Sequence, residues 1–354
     1  MAPPTEIRAV ITQKVGEAAV QTVPLPRLRD DYVLVRTTAV GLNPTDWKTL
    51  DGAFGDSSGT KMGLDFAGIV EEVGPKVTKP FAKGDRITGV VHGSNQSEHE
   101  DGAFGEYLVV KGDVAIKVPD NVTDEEAATL GVGISTVAQG LYQALKLPLP
   151  ESPAPAPFPI LIYGGSTATG VLGIQFAKLS GARVATTCSP RNFELAKSMG
   201  ADAVFDYNSP TVLEDIKAWD SNIQHAWDCV VTPESTALTV GAMAESGGQY
   251  GALLFPDDVV IKAANPNVTS SVTLMYTIFG EAFKKGPRDF PAIPGELELG
   301  KKFWELTRQL LAEGKLKTAR PDVNRGGKGL EGVLVGLQEL KHNKVSGVKL
   351  VYTL

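Results

Sequence analysis

The stretch Ile160-Leu161-Ile162-Tyr163-Gly164-Gly165-Ser166-Thr167-Ala168-Thr169-Gly170-Val171-Leu172-Gly173-Ile174-Gln175-Phe176-Ala177-Lys178 decides how the chain is read. A short apolar run leads into an uncharged turn of Gly, Ser and Thr, and apolar residues at helical spacing follow. Strand, small-residue turn and helix in that order hold a dinucleotide pyrophosphate. Residues without bulk let the backbone approach, and amides at the helix N-terminus face the phosphates. Thr167 stands where the usual glycine fingerprint has its middle glycine, so the turn by itself also fits a plain strand-to-helix connection. Ser166, Thr167, Ala168 and Thr169 are the candidate phosphate contacts.

The next strand, Ala182-Arg183-Val184-Ala185-Thr186-Thr187, runs into Cys188-Ser189-Pro190-Arg191-Asn192. A unit built for NAD places Asp or Glu near this point to bind the ribose 2′-hydroxyl. No acid is present; Ser189, Arg191 and Asn192 supply donors and a positive charge instead, with Pro190 as a further cofactor-binding candidate between them. A 2′-phosphate needs those groups, because a carboxylate would repel it and a guanidinium pairs with it. Tyr207, just past Ala203-Val204-Phe205-Asp206, is expected beside the same phosphate. Taken alone, Arg191 equally suits a solvated helix start; with the glycine turn upstream, the expected cofactor is NADPH.

The balance of the composition narrows the function classes. A chain of 354 residues can bury a substantial core and favours two domains. Its net charge of −7 argues against a general nucleic-acid binder or a protein held to anionic membrane. No apolar stretch reaches the ~20 residues that span a bilayer. The start, Met1-Ala2-Pro3-Pro4-Thr5-Glu6, lacks the basic and apolar regions of a signal peptide. Cys188 and Cys229 make no disulfide framework, so the expected location is the reducing cytoplasm.

Short alternating strands dominate the first part, such as Arg8–Thr12 and Tyr32–Thr37, between turns marked by Gly, Pro and Asp. This predicts a partly closed β-barrel. From about Glu125 the pattern changes to helices and then to strand–helix alternation. The run Leu147-Pro148-Leu149-Pro150-Glu151-Ser152-Pro153-Ala154-Pro155-Ala156-Pro157-Phe158-Pro159 cannot be helical and predicts an extended surface loop. Helices are predicted over 301–311 and 329–341, and a closing strand over 347–352.

Four segments in order carry a resemblance: Gly41-Leu42-Asn43-Pro44-Thr45-Asp46, Gly63-Leu64-Asp65-Phe66-Ala67-Gly68, Gly84-Asp85-Arg86 and Gly102-Ala103-Phe104-Gly105-Glu106-Tyr107. Over nearly its whole length the chain resembles the medium-chain dehydrogenase/reductase superfamily. The resemblance implies an α/β protein with a GroES-like barrel from residues 1–125 and 297–354. A Rossmann domain of doubly wound parallel sheet, residues 126–296, is inserted between them, with the active site in the cleft. Tyr163-Gly164-Gly165-Ser166-Thr167-Ala168-Thr169, Cys188-Ser189-Pro190, Val204-Phe205-Asp206-Tyr207 and Thr277-Ile278-Phe279-Gly280-Glu281 are similar to the trans-acting enoyl reductases of fungal polyketide synthases, the lovastatin-pathway type.

Many members of the superfamily carry a catalytic zinc on Cys, His and Cys. At the matching positions this chain has Asn43, Leu64 and Val132, and its two cysteines cannot build a four-cysteine lobe, so no metal is expected. His92, Glu98, His99, Glu100 and Asp101 match no metal spacing and are read as a solvated loop.

Without a Lewis acid, conjugate reduction fits best. Hydride from NADPH goes to the β-carbon of an enoyl thioester, charge gathers on the carbonyl oxygen, and a proton reaches the α-carbon. The resemblance places Thr45, Asp46, Trp47 and Lys48 beside the nicotinamide, with Lys48 and Thr136 as catalytic candidates. It puts Gly131, Val132, Gly133, Ile134, Ser135, Thr136, Val137 and Ala138 along the substrate pocket, with helix capping as the competing role for Ser135 and Thr136. Met275, Tyr276, Thr277, Ile278 and Phe279 are implied as acyl-chain wall. From residue type alone they form an apolar segment of β character, equally suited to core packing. Leu253, Leu254, Val345 and Ser346 are implied as backbone contacts to the cofactor. The expected partner is a polyketide synthase or its acyl carrier protein, met by a monomer. A free-standing quinone or enone reductase and a non-catalytic NADPH-binding protein are the competing readings.

Overall fold

The computed structural model describes residues 3–354; Met1 and Ala2, part of the N-terminal reading, lie outside them. The described chain forms two compact units, residues 3–135 with 276–354, and residues 136–275. The boundaries drawn from the sequence were 125/126 and 296/297, and local packing accounts for the different division. The backbone amide of Val132 bonds the Asp65 carboxylate at 2.7 Å, which ties the segment after residue 125 to the first unit. At the other junction, Tyr276 and Phe279 pack their rings on His92, and helix Pro294–Ala312 lies against strand Ala115–Lys117.

In the first unit, Tyr32–Gly41 is the central strand of a seven-stranded sheet. One edge pairs with Asp65–Val73. The other pairs first with Tyr107–Lys111 and then with Lys349–Thr353, all antiparallel. The closing strand thus returns residues from the end of the chain to Gly41 and Leu42, just before the helix Pro44–Leu50. Val33, Val35, Val40, Phe66, Leu108, Leu350 and Tyr352 fill one core.

The second unit contains six parallel strands. Their spatial order is Ala203–Phe205, Ala182–Thr187, Phe158–Tyr163, His225–Asp228, Gly248–Ala252 and Val268–Val272. In chain order this is third, second, first, fourth, fifth, sixth, the Rossmann winding expected from the sequence. Ile160, Leu161 and Ile162 have no exposed surface, which explains a continuous apolar run rather than an alternating one. The winding reverses between Phe158–Tyr163 and His225–Asp228, and open sheets of this kind bind ligands at the C-terminal ends of strands there. The register aligns Tyr163 with Thr187 and Asp228, and Asp228 with Ala252. Gly164, Cys188 and Leu253 therefore leave the sheet at one edge. The proline-rich stretch is irregular and mostly exposed up to residue 157. Among the described residues, no helix is long and apolar enough to cross a membrane.

Candidate active site

At the first strand end, Gly164 has φ +85 and turns the chain. A Cβ on Gly165 would lie 2.1 Å from Thr186 Oγ1, so only glycine lets the turn sit against the neighbouring strand. Thr167, in place of the middle glycine, caps helix Ala168–Leu179: its Oγ1 accepts from the Gly170 amide at 2.9 Å and donates to the Gly164 carbonyl at 2.8 Å. The amides of Ser166, Ala168 and Thr169 find no acceptor in the described chain, as a phosphate cradle requires.

Ser189 and Tyr207, from the ends of the two neighbouring strands, share a hydrogen bond at 3.0 Å. Arg191 is exposed and makes no ion pair among the described residues, while Asn192 is largely buried. Among the described residues this edge presents a guanidinium without an ion pair and two hydroxyls. Asp228 holds the facing loop. Its Oδ1 accepts from the amides of Val230 and Val231, and its Oδ2 from the hydroxyls of Ser235 and Tyr250. Leu253 and Leu254 follow strand Gly248–Ala252 and are partly exposed.

The first unit brings together a group that the sequence reading missed. Lys349 is buried, and its Nζ donates to Asn43 Oδ1 at 2.8 Å and to Asp65 Oδ2. The other oxygen of Asp65 accepts the Val132 amide, and a Cβ on Gly131 would strike it at 2.3 Å. An ammonium group therefore bonds one of the three positions matched to zinc ligands, Asn43, and through Asp65 reaches a second, Val132. Leu64 is buried. Among the described residues, no three His, Cys, Asp or Glu side chains converge to hold a metal.

Helix Pro44–Leu50 carries Thr45, Asp46, Trp47 and Lys48. Asp46 is buried, accepts the Asn43 amide at 2.7 Å, and is pushed up by burial to about 8. Trp47 packs on the core. Lys48 is half-buried, burial holds its ammonium below the usual lysine range, and no carboxylate pairs with it among the described residues. That is not the environment of an ordinary surface lysine.

Helix Gly131–Val137 widens into π geometry over Ala138–Ala144. Ser135 lies inside the helix, where its Oγ accepts the Trp304 indole N–H at 3.2 Å, so the capping role does not apply to it. Thr136 is mid-helix as well and mostly buried. Ile134 and Val137 have no exposed surface, and Ala138 almost none; Gly133 is buried and Val132 partly exposed.

Met275–Phe279 is a short 3-10 helix and not the β-type segment expected, since its apolar side chains turn inward instead of alternating. Met275, Tyr276, Ile278 and Phe279 are buried, and Thr277 is intermediate. Tyr276 OH and Thr45 Oγ1 share a hydrogen bond at 2.8 Å, joining a substrate candidate to a cofactor candidate. His92 is buried against Tyr276, Phe279 and Phe283, and burial with nearby Lys285 pushes its imidazole well below the ordinary range. Asp101 is buried on Arg29. The solvated-loop reading of His92 and Asp101 is thus corrected: the sequence showed their polarity, and tertiary packing supplied aromatic and cationic partners. Val345 and Ser346 lie on the loop before strand Lys349–Thr353.

Known proteins can now be set beside this geometry. Residues 29–120 match the alcohol dehydrogenase GroES-like domain, and residues 168–292 match the family described as zinc-binding dehydrogenase. The chain is 47% identical to trans-enoyl reductase resD of Aspergillus sclerotiorum, over 98% of this chain and 99% of that protein. It is 49% identical to trans-enoyl reductase TOXD of Cochliobolus carbonum, over 84% of this chain and 98% of the relative. An alcohol dehydrogenase superfamily protein from Novosphingobium aromaticivorans shares the fold, with a TM-score of 0.79 at 22% identity over 99% of this chain and all of the other.

Proposed function

We propose, for a chain that belongs to the trans-enoyl reductase family of the medium-chain dehydrogenases/reductases, that it reduces the α,β-double bond of an enoyl thioester carried by a polyketide-type synthase. It does so as a metal-independent, NADPH-dependent monomer in the cytoplasm. One observation carries the choice of reaction. The Lys349 ammonium lies between Asn43 and Asp65, so a second cation there would meet direct repulsion, and no Lewis acid is available to activate an alcohol.

When bound, NADPH supplies the hydride for the β-carbon. Ser166, Thr167, Ala168 and Thr169 hold its pyrophosphate, while Ser189, Pro190, Arg191, Asn192 and Tyr207 frame the 2′-phosphate. Leu253, Leu254, Val345 and Ser346 contribute backbone contacts, and Thr45, Asp46 and Trp47 position the nicotinamide end. Lys48, half-buried and without an ion-pair partner, is the group available to stabilise negative charge on the thioester oxygen or to bond the ribose. Thr136 offers a hydroxyl from the helix that borders the acyl pocket. Gly131–Ala138 and Met275–Phe279 enclose the chain.

The test compares an enoyl chain on an acyl carrier protein with the same chain as a free pantetheine thioester, each with NADPH and with NADH. The expected result is a higher kcat/KM for the carrier-bound chain and a preference for NADPH above tenfold. A charge-assisted phosphate contact contributes about 1.5–3 kcal/mol, which sets that lower bound. Better turnover of simple quinones, with no gain from the carrier, overturns the reading.

A further inference from the structure

Among the described residues, four lysines are buried: Lys61, Lys111, Lys285 and Lys349. Three have oxygen partners. Lys61 reaches the Tyr107 carbonyl at 3.4 Å, Lys111 bonds Asp31 and Glu281 at 2.8 and 2.6 Å, and Lys349 bonds Asn43 and Asp65. Lys285, 7% exposed, has none; its Nζ lies only over ring faces, 3.8 Å from the Tyr276 centroid and 4.7 Å from that of Phe54. Ring faces attract a cation but accept none of its three N–H bonds as an oxygen does. A buried charge left in that condition costs stability unless something else completes its shell.

The fold holds Lys285 in place. It ends strand Phe283–Lys285 of a hairpin whose tip, Gly286, has φ +61 and donates its amide to Gln96 Oε1 at 2.8 Å. The Lys284 amide donates to Ser97 Oγ at 2.9 Å, and Gln96 Nε2 to the Asp56 carbonyl at 2.8 Å. Phe290 stacks on Phe283 from the partner strand. Such anchoring keeps the ammonium on Tyr276, the ring whose hydroxyl bonds Thr45. Of the groups near it, His92 brings no negative charge, and the Asp46 carboxyl interacts with Lys285 electrostatically but forms no ion pair with it among the described residues.

We infer that Lys285 is a specificity residue of the acyl pocket, where its ammonium donates to an oxygen acceptor, a ketone or carboxylate, on the substrate chain beyond the reacting double bond. The occupant of this pocket is then an oxygen-bearing acyl chain, not a bare hydrocarbon. The inference rests on the reading of the site as that of an enoyl reductase.

The test uses the full-length enzyme with NADPH, the variants Lys285→Met and Lys285→Arg, and two enoyl pantetheine thioesters of equal length. One probe has a methylene where the other has a ketone, several carbons beyond the double bond. Turnover gives kcat/KM, and quenching of bound NADPH fluorescence reports binding of the corresponding saturated thioesters. The wild type is expected to favour the ketone probe at least tenfold. In Lys285→Met the ratio falls to near one, Lys285→Arg retains a preference, and the Met variant melts no lower than wild type because an unpaired buried charge has been removed. An equal loss on both probes places Lys285 at the thioester carbonyl or in the scaffold and overturns the inference, as does a wild type without preference. If neither probe is reduced but the binding preference exists and vanishes in Lys285→Met, the inference stands and the enoyl reductase reading falls. Reduction of both without discrimination does the reverse.

Discussion

A buried ammonium needs oxygen partners to offset its lost hydration, and Lys349 has two, on residues far away in sequence. Asp65 in turn has no exposed surface and depends on Lys349 for its charge balance. Lys349→Met should therefore lower unfolding stability by about 3–5 kcal/mol, the cost of leaving one partner of a buried pair unmatched. Adding Asp65→Asn should restore part of the loss. Urea unfolding of wild type and both variants measures this, and a single-variant loss below about 1 kcal/mol would show that Asp65 is satisfied elsewhere. Lys48 and Lys285 differ from Lys349 in lacking oxygen partners within the described chain, which suits residues kept for a ligand.

At the scale of elements, the strand–turn–helix from Phe158 to Leu179 works because its turn presses on the next strand. Gly165→Ala would push a Cβ into Thr186 Oγ1, which already donates to the Ile162 carbonyl at 2.6 Å. The turn must then lift, and the amides of Ser166, Ala168 and Thr169 move with it. The expected outcome is a dissociation constant for NADPH raised at least tenfold, with the far-UV circular dichroism unchanged; fluorescence titration measures the first quantity. Unaltered affinity would mean that the turn absorbs a methyl group without moving its amides. The hairpin Phe283–Phe290 shows another kind of control, since its pairing and its bonds to Gln96 and Ser97 fix a side chain that its own strand does not need.

For the molecule as a whole, the return of the closing strand to the first unit places an ammonium on Asn43, one of the positions matched to metal ligands. Activity should accordingly survive dialysis against a chelator, and elemental analysis should find no stoichiometric zinc. Loss of activity that zinc restores would overturn this. The Rossmann order and the glycine turn were legible in the sequence, because strand and helix periodicities and the steric needs of a phosphate turn are local properties. The position of Ser189 to Asn192 at the end of their strand was readable for the same reason, since they follow it directly. The solvated-loop reading of His92 and Asp101, the capping alternative for Ser135 and the β character given to Met275–Phe279 failed where the environment comes from distant segments. Neither the Asn43–Asp65–Lys349 link, which joins residues up to 306 positions apart, nor the seating of Lys285 on Tyr276 and Phe54 has any local signature. The sequence by itself determined which elements form and where the glycine turn lies between strand and helix. Only the tertiary structure decided which charges are buried, which find oxygen partners and which find none among the described residues, because desolvation and pairing depend on neighbours that the chain order does not bring together.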